Sequence, residues 1–285
     1  MGKGRDNRRR EAAGGGPPSR EMMVSKKLSW LLRHGAEKEG LKLGVGGYVN
    51  AADALNTRCL KSLKVTFDEL QTAVATSDKQ RFSLIPQAPA PPAPHDDPSP
   101  PPSPAAATPA LAPTDPRNYL LRANQGHSLQ VNSEHLLRPV ELSATGGPRD
   151  DWPPMVVHGT SQAAWELILA SGGLKRMGRV HVHFATGVTG DLAHLLEKGE
   201  TGGVGGKEGD VDLPQVISGM RRSVAVLIFV DLEKALKAGL KFWRSENDVI
   251  LSEGDEDGVV KSEFFHRVVD RSGRILMVNG EVIEE

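Results

Sequence analysis

Cysteine is almost missing from this sequence. Cys59 stands alone, which excludes a disulfide framework and a zinc site built on thiolates. Aromatic residues make up only 5% of the 285. No run of 18 apolar residues occurs and no hydrophobic stretch opens the chain, so neither a membrane-spanning helix nor a secretory leader is expected. Excess charge is scarce too. The 35 Lys and Arg against 36 Asp and Glu leave −1, so no global field marks a polyanion binder and any basic site must be local. Met1-Gly2 would suit N-myristoylation, but Asp6 stands where that signal needs Ser or Thr. The expectation is a soluble intracellular protein, nuclear or cytoplasmic, with no membrane partner.

Familiar site patterns are absent as well. His181 and His183 share one face of a strand-like run, yet nothing supplies further ligands at metal-binding spacing, so no metal is expected. The Gly-rich TGGVGGKEG (201–209) lacks the GxxxxGK[ST] frame of a P-loop. Nor does it follow a strand and open a helix, as a dinucleotide fingerprint must. It reads as a surface excursion.

What is present begins with a strongly basic run, MGKGRDNRRR, followed by SKKLSWLLRHGAEKEG (25–40). Read as a helix capped by Ser25, this stretch places Val24, Leu28, Leu31 and Leu32 on one apolar stripe. Lys26, Trp30, Arg33 and His34 fall opposite. A basic, aromatic face suits a polyanion whose phosphates meet Lys and Arg while a ring or base stacks on Trp. A solvated face of an ordinary amphipathic helix is the competing reading. Asn50 should cap a short helix, AADALNT, and Thr66 with Glu69 forms a capping box for another. RFSLI (81–85) and NYLLRAN (118–124) look like strands. Between them, residues 86–116 hold 13 of the 20 prolines and can form neither helix nor central strand. This segment is either an interdomain linker or a long insertion in a hairpin. The hairpin is favoured, because closure entropy grows only with the logarithm of loop length.

Beyond residue 130 the chain alternates strand-like runs (MVVHGT, VHVHFAT, VAVLIFV, DVILSEG) with helix candidates SQAAWELILAS, VTGDLAHLLEKG and DLEKALKAG. KSEFFHRVVDRSGRILMVNGE suggests two further strands joined at Ser272-Gly273. The fold class expected is α+β with a mostly antiparallel sheet.

LSWLLRHGA (28–36), ATSDKQRFSL (75–84), LRANQGHS (121–128), VVHGT (156–160), VHVHFA (180–185), GMRRSVAVL (219–227) and FWRSENDVILSE (242–253) follow one another in this order. Together they resemble the NAD-dependent tRNA 2′-phosphotransferases, the Tpt1/KptA family, in its mammalian form. The resemblance covers about residues 22–85 and 118–255. It implies a winged-helix RNA-binding lobe (21–130) with a disordered Pro-rich insertion (86–116). It also implies an ADP-ribosyltransferase-like, NAD-binding lobe (150–255). A disordered basic tail (1–20) and a C-terminal extension without assigned role (256–285) lie outside the pattern.

The implied reaction removes an internal 2′-phosphate from spliced tRNA, with NAD⁺ as consumed co-substrate and no metal; a monomer is expected, with the oligomeric state open. The phosphate displaces nicotinamide from ribose. The neighbouring 2″-hydroxyl then attacks phosphorus, leaving 2′-OH RNA and ADP-ribose 1″,2″-cyclic phosphate. By motif match, Arg33 and Arg81 grip the phosphate, His34 donates to it and can carry a proton, and Arg221 stabilises charge in the second step. A one-place shift to Arg222 stays open. His158, Gly159, Thr160, His183, Phe184 and Val249 match the NAD pocket, and His127 the seam between lobes, with Lys26 and Trp30 on the RNA side. Many ADP-ribosyltransferases carry glutamate where Val249 stands; here the acceptor is already an anion. Two rivals remain: an ADP-ribosyltransferase that caps nucleic-acid terminal phosphates, and a non-catalytic winged-helix RNA-binding protein.

Overall fold

The computed structural model describes residues 18–87, 115–196 and 224–283. Arg221, most of the Pro-rich stretch and the Gly-rich 201–209 run lie outside the described residues.

The first helix, α1 (Arg20–Trp30), begins earlier than the apolar stripe suggests. Its cap is Ser19, whose Oγ accepts from Met22 N at 3.2 Å, and Ser25 lies inside the helix. Val24 is buried beside Leu28, so the turn containing it must already be helical. After Trp30 the winding changes. Leu31–Gly35 form a π turn and Glu37–Glu39 a 3-10 turn, which Gly40 ends at φ 78°. The π turn keeps Leu31 and Leu32 fully buried, while Arg33 and His34 are only partly buried. Inserted π turns recur at functional sites because they re-aim side chains within a helix.

The wider turn also sets residue 30 over residue 35. A Cβ on Gly35 would lie 2.6 Å from two carbons of the Trp30 ring. Gly35→Ala is therefore expected to swing the exposed indole off its seat. The clash should outweigh the better helix propensity of Ala, for a net loss of about 1 kcal/mol. A red-shifted tryptophan emission and a lowered urea midpoint would both be measured; an unshifted spectrum would contradict the packing.

The rest of the first half is β1 (Val49–Asn50), α2 (Ala51–Asn56), α3 (Arg58–Lys61), α4 (Phe67–Ala75), β2 (Phe82–Pro86) and β3 (Tyr119–Ala123). Asn50 caps α2 through Ala52 N at 2.9 Å, and Thr66 and Glu69 cap α4 reciprocally. β2 and β3 pair antiparallel from Phe82↔Ala123 to Pro86↔Tyr119, so the strands flanking the prolines are neighbours. With β1 on the other edge of β3, they form a three-stranded sheet. Val24, Leu28, Leu31, Leu32, Leu60, Leu70, Phe82 and Leu121 fill the core between helices and sheet.

The second half contains α5 (Ser133–Leu136), β4 (Arg138–Val140), β5 (Val157–Thr160), α6 (Gln162–Ala170), β6 (Gly173–Lys175), β7 (Val182–Phe184), β8 (Val226–Val230) and α7 (Leu232–Lys237). It continues with β9 (Phe242–Arg244), β10 (Ile250–Ser252), β11 (Val259–Lys261), β12 (Phe265–Asp270), β13 (Ile275–Val278) and β14 (Glu281–Val282). One sheet runs β4-β9-β10-β7 and a second β14-β13-β12-β8-β5, with β6 and β11 paired apart. An isolated bridge, Val157↔Ala185, joins the two larger sheets. Every strand pairing among the described residues is antiparallel. The molecule is a mixed α/β protein built on antiparallel sheets.

One segment differs from its sequence reading, and a second takes a more central place than its reading assigned. VTGDLAHLLEKG supplies only a 3-10 turn, Gly190–Leu195, before the described residues end. Its buried leucines, Leu192 and Leu195, are three apart, the repeat of a 3-10 rather than an α turn. Residues 261–281, read as two strands joined at Ser272-Gly273, form them as β12 and β13, and β12 is registered along β8 from Phe265↔Val230 to Asp270↔Val226. Phe264, Phe265, Val268 and Met277 complete the same core as Phe184, Ile228 and Phe242. This segment lies at the centre of the larger sheet.

Candidate active site

The halves meet where the turn between β9 and β10 reaches the β2–β3 ribbon. Asn247 Nδ2 donates to Lys79 O at 2.8 Å, and Arg122 Nη2 donates to Glu246 Oε2 at 3.0 Å. Beyond β3, the carbonyl of His127 accepts from Val180 N at 3.0 Å. These bonds bring the π turn after α1 up to β5 and β7. A cleft of about 610 Å³ opens there, lined by His34 from the first half and by His158, Thr160, Arg179 and His183 from the second. The size falls within the range of small-molecule sites.

The groups around this cleft carry unmet hydrogen-bonding capacity. Nε and Nη2 of Arg33, Nε2 of His127 and Nε2 of His183 are all buried without a partner among the described residues. Each such group costs about 1–3 kcal/mol. A structure that keeps several together is arranged for a polar ligand rather than for stability.

Their electrostatics agree. Burial first, and then the positive charges of Arg179 and Arg81, bring the Arg33 guanidinium down to about 10. Burial is likewise the main cause for His127 and His183, each pushed down to about 3. Arg33 acts on both, and Arg179 on His183. His34 is lowered by burial and then by Arg33 and Arg179. All these shifts express one condition, cations crowded where solvent is excluded. An arriving phosphate, at about −1.5 to −2 charge, would relieve it.

The backbone holds these groups in place. Ser128 N donates to Arg33 O at 3.0 Å, and His34 Nδ1 lies 2.8 Å from Ser128 Oγ. When Nδ1 carries the proton toward Ser128, Nε2 of the neutral ring is the position that can accept one. Gly126, at φ +88°, lies under the Arg33 guanidinium, where a Cβ would be 3.5 Å from Cζ. His158 Nδ1 is 2.9 Å from His183 O, which ties β5 to β7, and the His158 ring meets Phe184 edge-on at 6.1 Å. His181, also at the cleft, bonds Ser133 Oγ at 3.0 Å. Burial lowers its pKa, against the opposing pull of Glu253.

The candidate residues separate into groups. His34, His158, Thr160 and His183 share the cleft, and Arg33 and His127 stand within electrostatic reach of it. Gly159 occupies the middle of the β5 segment that pairs with β8. Phe184 is buried beneath the site. Val249 is fully buried against Leu136, Leu137, Trp243 and Leu251, and does not line the cleft. Arg81 lines a separate groove with Lys26 and Ser77, while its charge reaches Arg33. Trp30 lines a pocket on α1. Arg221 lies outside the described residues. Sequence reasoning missed Arg176, Arg179 and Ser128. Arg179 immediately precedes the VHVHFA run, but a single arginine before a strand has no pattern of its own. Among the described residues no cluster of three His, Cys, Asp or Glu side chains could hold a metal ion. No helix among them is long and apolar enough to cross a membrane.

The chain has well-matched relatives. The family model for "RNA 2'-phosphotransferase, Tpt1 / KptA family" matches residues 19–254. The "tRNA 2'-phosphotransferase 1" of Danio rerio is 34% identical over 249 residues, covering 87% of this chain and 85% of the fish protein. The "tRNA 2'-phosphotransferase 1" of Homo sapiens is 34% identical over 246 residues, covering 86% of this chain and 74% of the human one. The "tRNA 2'-phosphotransferase" of Saccharomyces cerevisiae is 30% identical over 236 residues, covering 82% and 79%.

Proposed function

Because the chain belongs to the RNA 2′-phosphotransferase, Tpt1 / KptA family, we propose that it transfers an internal 2′-phosphate from spliced tRNA to NAD⁺. The products are 2′-OH RNA, nicotinamide and ADP-ribose 1″,2″-cyclic phosphate. The observation that carries the reading is the set of unpartnered polar atoms on Arg33, His127 and His183 around a cleft that His34 shares with His158.

In this reading residues 21–130 are a winged-helix lobe that presents RNA, and residues 150–255 an ADP-ribosyltransferase-like lobe that holds NAD⁺. Arg33 and Arg81 grip the 2′-phosphate from the RNA side with guanidinium forks, which match phosphate geometry better than a point charge. His158, Thr160 and His183 orient the dinucleotide, and Nε2 of His183 gains the partner it lacks. The phosphate oxygen forms a bond to the ribose carbon as the bond to nicotinamide breaks. The 2″-hydroxyl then attacks phosphorus and the RNA 2′-oxygen leaves. His34 takes up and returns the proton of that exchange. Arg221 stabilises the charge developing on phosphorus, worth roughly 10²–10³ in rate for a fixed donor.

The roles of Arg221 and the first-step groups separate by experiment. With a short RNA carrying one internal 2′-phosphate, and NAD⁺, the wild-type protein should yield 2′-OH RNA. Arg221→Ala should accumulate a covalent RNA–ADP-ribose species, visible as a retarded band in a denaturing gel. Wild-type turnover by the variant would remove Arg221 from the mechanism. A wild-type protein that itself stops at the adduct would establish the capping transferase instead.

A further inference from the structure

A second pocket, of about 670 Å³, lies on α1 away from the cleft, lined by Met23, Lys26, Lys27, Trp30, Arg58 and Leu63. Trp30 is 37% exposed, unusual for so large an apolar ring, and Gly35 backs it. The indole is thus a supported platform and not a loose surface side chain. Lys26, Lys27 and Arg58 around it are exposed cations. The one carboxylate in the wall, Glu39, is already engaged. Its Oε2 accepts from Arg58 N at 2.8 Å and from Cys59 N at 3.4 Å, closing the start of α3.

A flat aromatic face, apolar side walls and three cations without an opposing free carboxylate match a nucleobase with its flanking phosphates. A peptide partner would also use the apolar walls, but the pocket shares Lys26 with the groove that Arg81 lines. Lys26 lines a neighbouring groove of about 450 Å³ together with Ser25, Ser29, Ser77 and Arg81. Arg81 in turn acts on Arg33. Hydroxyls and cations, with Glu21 and Asp78 also in the wall, thus line the groove beside the indole pocket. Residues 26 and 33 are seven apart, about 10 Å along a helix axis, a span a few nucleotides can cover.

We propose that this pocket is a second RNA site. One base of the strand beside the 2′-phosphate stacks on Trp30, and Lys27 and Arg58 hold the adjoining phosphates. The inference rests on the phosphotransferase reading and extends it from the reacting nucleotide to its flank.

The test compares a 2′-phosphorylated dinucleotide, too short to reach the pocket, with a longer single-stranded RNA carrying the same internal 2′-phosphate. The variants are Lys27→Glu, Arg58→Glu and the pair together. The pair should turn over the dinucleotide at the wild-type rate. On the longer RNA it should lose about tenfold in kcat/KM, with a salt slope shallower by about one per lost phosphate contact. Independently, the longer RNA without its 2′-phosphate should quench tryptophan emission in the wild-type protein, and the quench should vanish in Trp30→Phe. If the pair matches wild type on the longer RNA and the quench persists without Trp30, the pocket is not an RNA site. That outcome would also be produced by a pocket made for a peptide. Failure of the dinucleotide reaction would count against the phosphotransferase reading alone, because quenching by the unphosphorylated strand still decides the pocket.

Discussion

Arg33→Met is expected to lose about 10³-fold in kcat/KM while the protein becomes more stable. The loss follows from removing a fixed guanidinium from the reacting phosphate, at the upper end of what a single preorganised donor supplies. The gain follows from the free protein. Nε and Nη2 of Arg33 are buried without partners among the described residues, and burial with the charges of Arg179 and Arg81 holds its pKa down to about 10. Methionine of similar length relieves both the desolvated charge and the repulsion, worth about 1–3 kcal/mol. Arg33→Lys keeps the charge and the repulsion but loses the fork, so it should be inactive without being stabilised. Urea melts beside a nicotinamide-release assay would separate the cases. A variant that loses activity and stability together would mean that Arg33 holds the fold and not the substrate.

Acid should destabilise the protein well before its carboxylates are protonated. His127 and His183 titrate at about 3 in the fold and near 6.5 in the unfolded chain. Above pH 6.5 both states hold the rings neutral and stability is complete. Between 6.5 and 3 only the unfolded chain takes up protons, so stability falls as pH falls. The slope approaches about 1.4 kcal/mol per pH unit for each histidine. By pH 5 the two together would cost about 4 kcal/mol at most, a large share of the 5–15 kcal/mol typical of a native protein. Urea midpoints at several pH values should decline steeply below pH 6.5, and His127→Gln should roughly halve that decline. A midpoint flat from pH 8 to pH 5 would show that these rings are not held neutral.

The sequence carried the local structure well where one signal sufficed. Asn50, and Thr66 with Glu69, cap helices because short-range capping requires nothing beyond the neighbouring residues. The β2–β3 pairing was legible across the prolines because both flanks had strand texture. The π turn at Leu31–Gly35 was not legible. The apolar stripe at residues 24, 28, 31 and 32 satisfies either winding, and the seat of Trp30 over Gly35, five residues on, leaves no mark on that periodicity. β12 was readable as a strand, but its central place beside β8 depends on pairing across some forty intervening residues.

The candidate site residues came chiefly from motifs. Nothing in the residue spacing itself brings His34 to His183; that takes the contacts from Asn247 to Lys79 and from Val180 to His127. Arg179 shows why motifs alone leave a site incomplete. Its influence on Arg33, His34 and His183 is electrostatic and leaves no spacing signature in the chain. Val249 shows the converse, since a position matched to the nucleotide pocket is packed among Trp243 and three leucines.

The fate of a single labelled phosphorus tests the central claim most directly. An RNA bearing ³²P only in its internal 2′-phosphate would be incubated with the protein, with and without NAD⁺, and the small products resolved. The label should move entirely into an ADP-ribose cyclic phosphate, one nicotinamide released for each, and stay on the RNA when NAD⁺ is withheld. Label appearing as orthophosphate without NAD⁺ would mean that water, not ribose, accepts the phosphate, and would contradict a transfer to the dinucleotide.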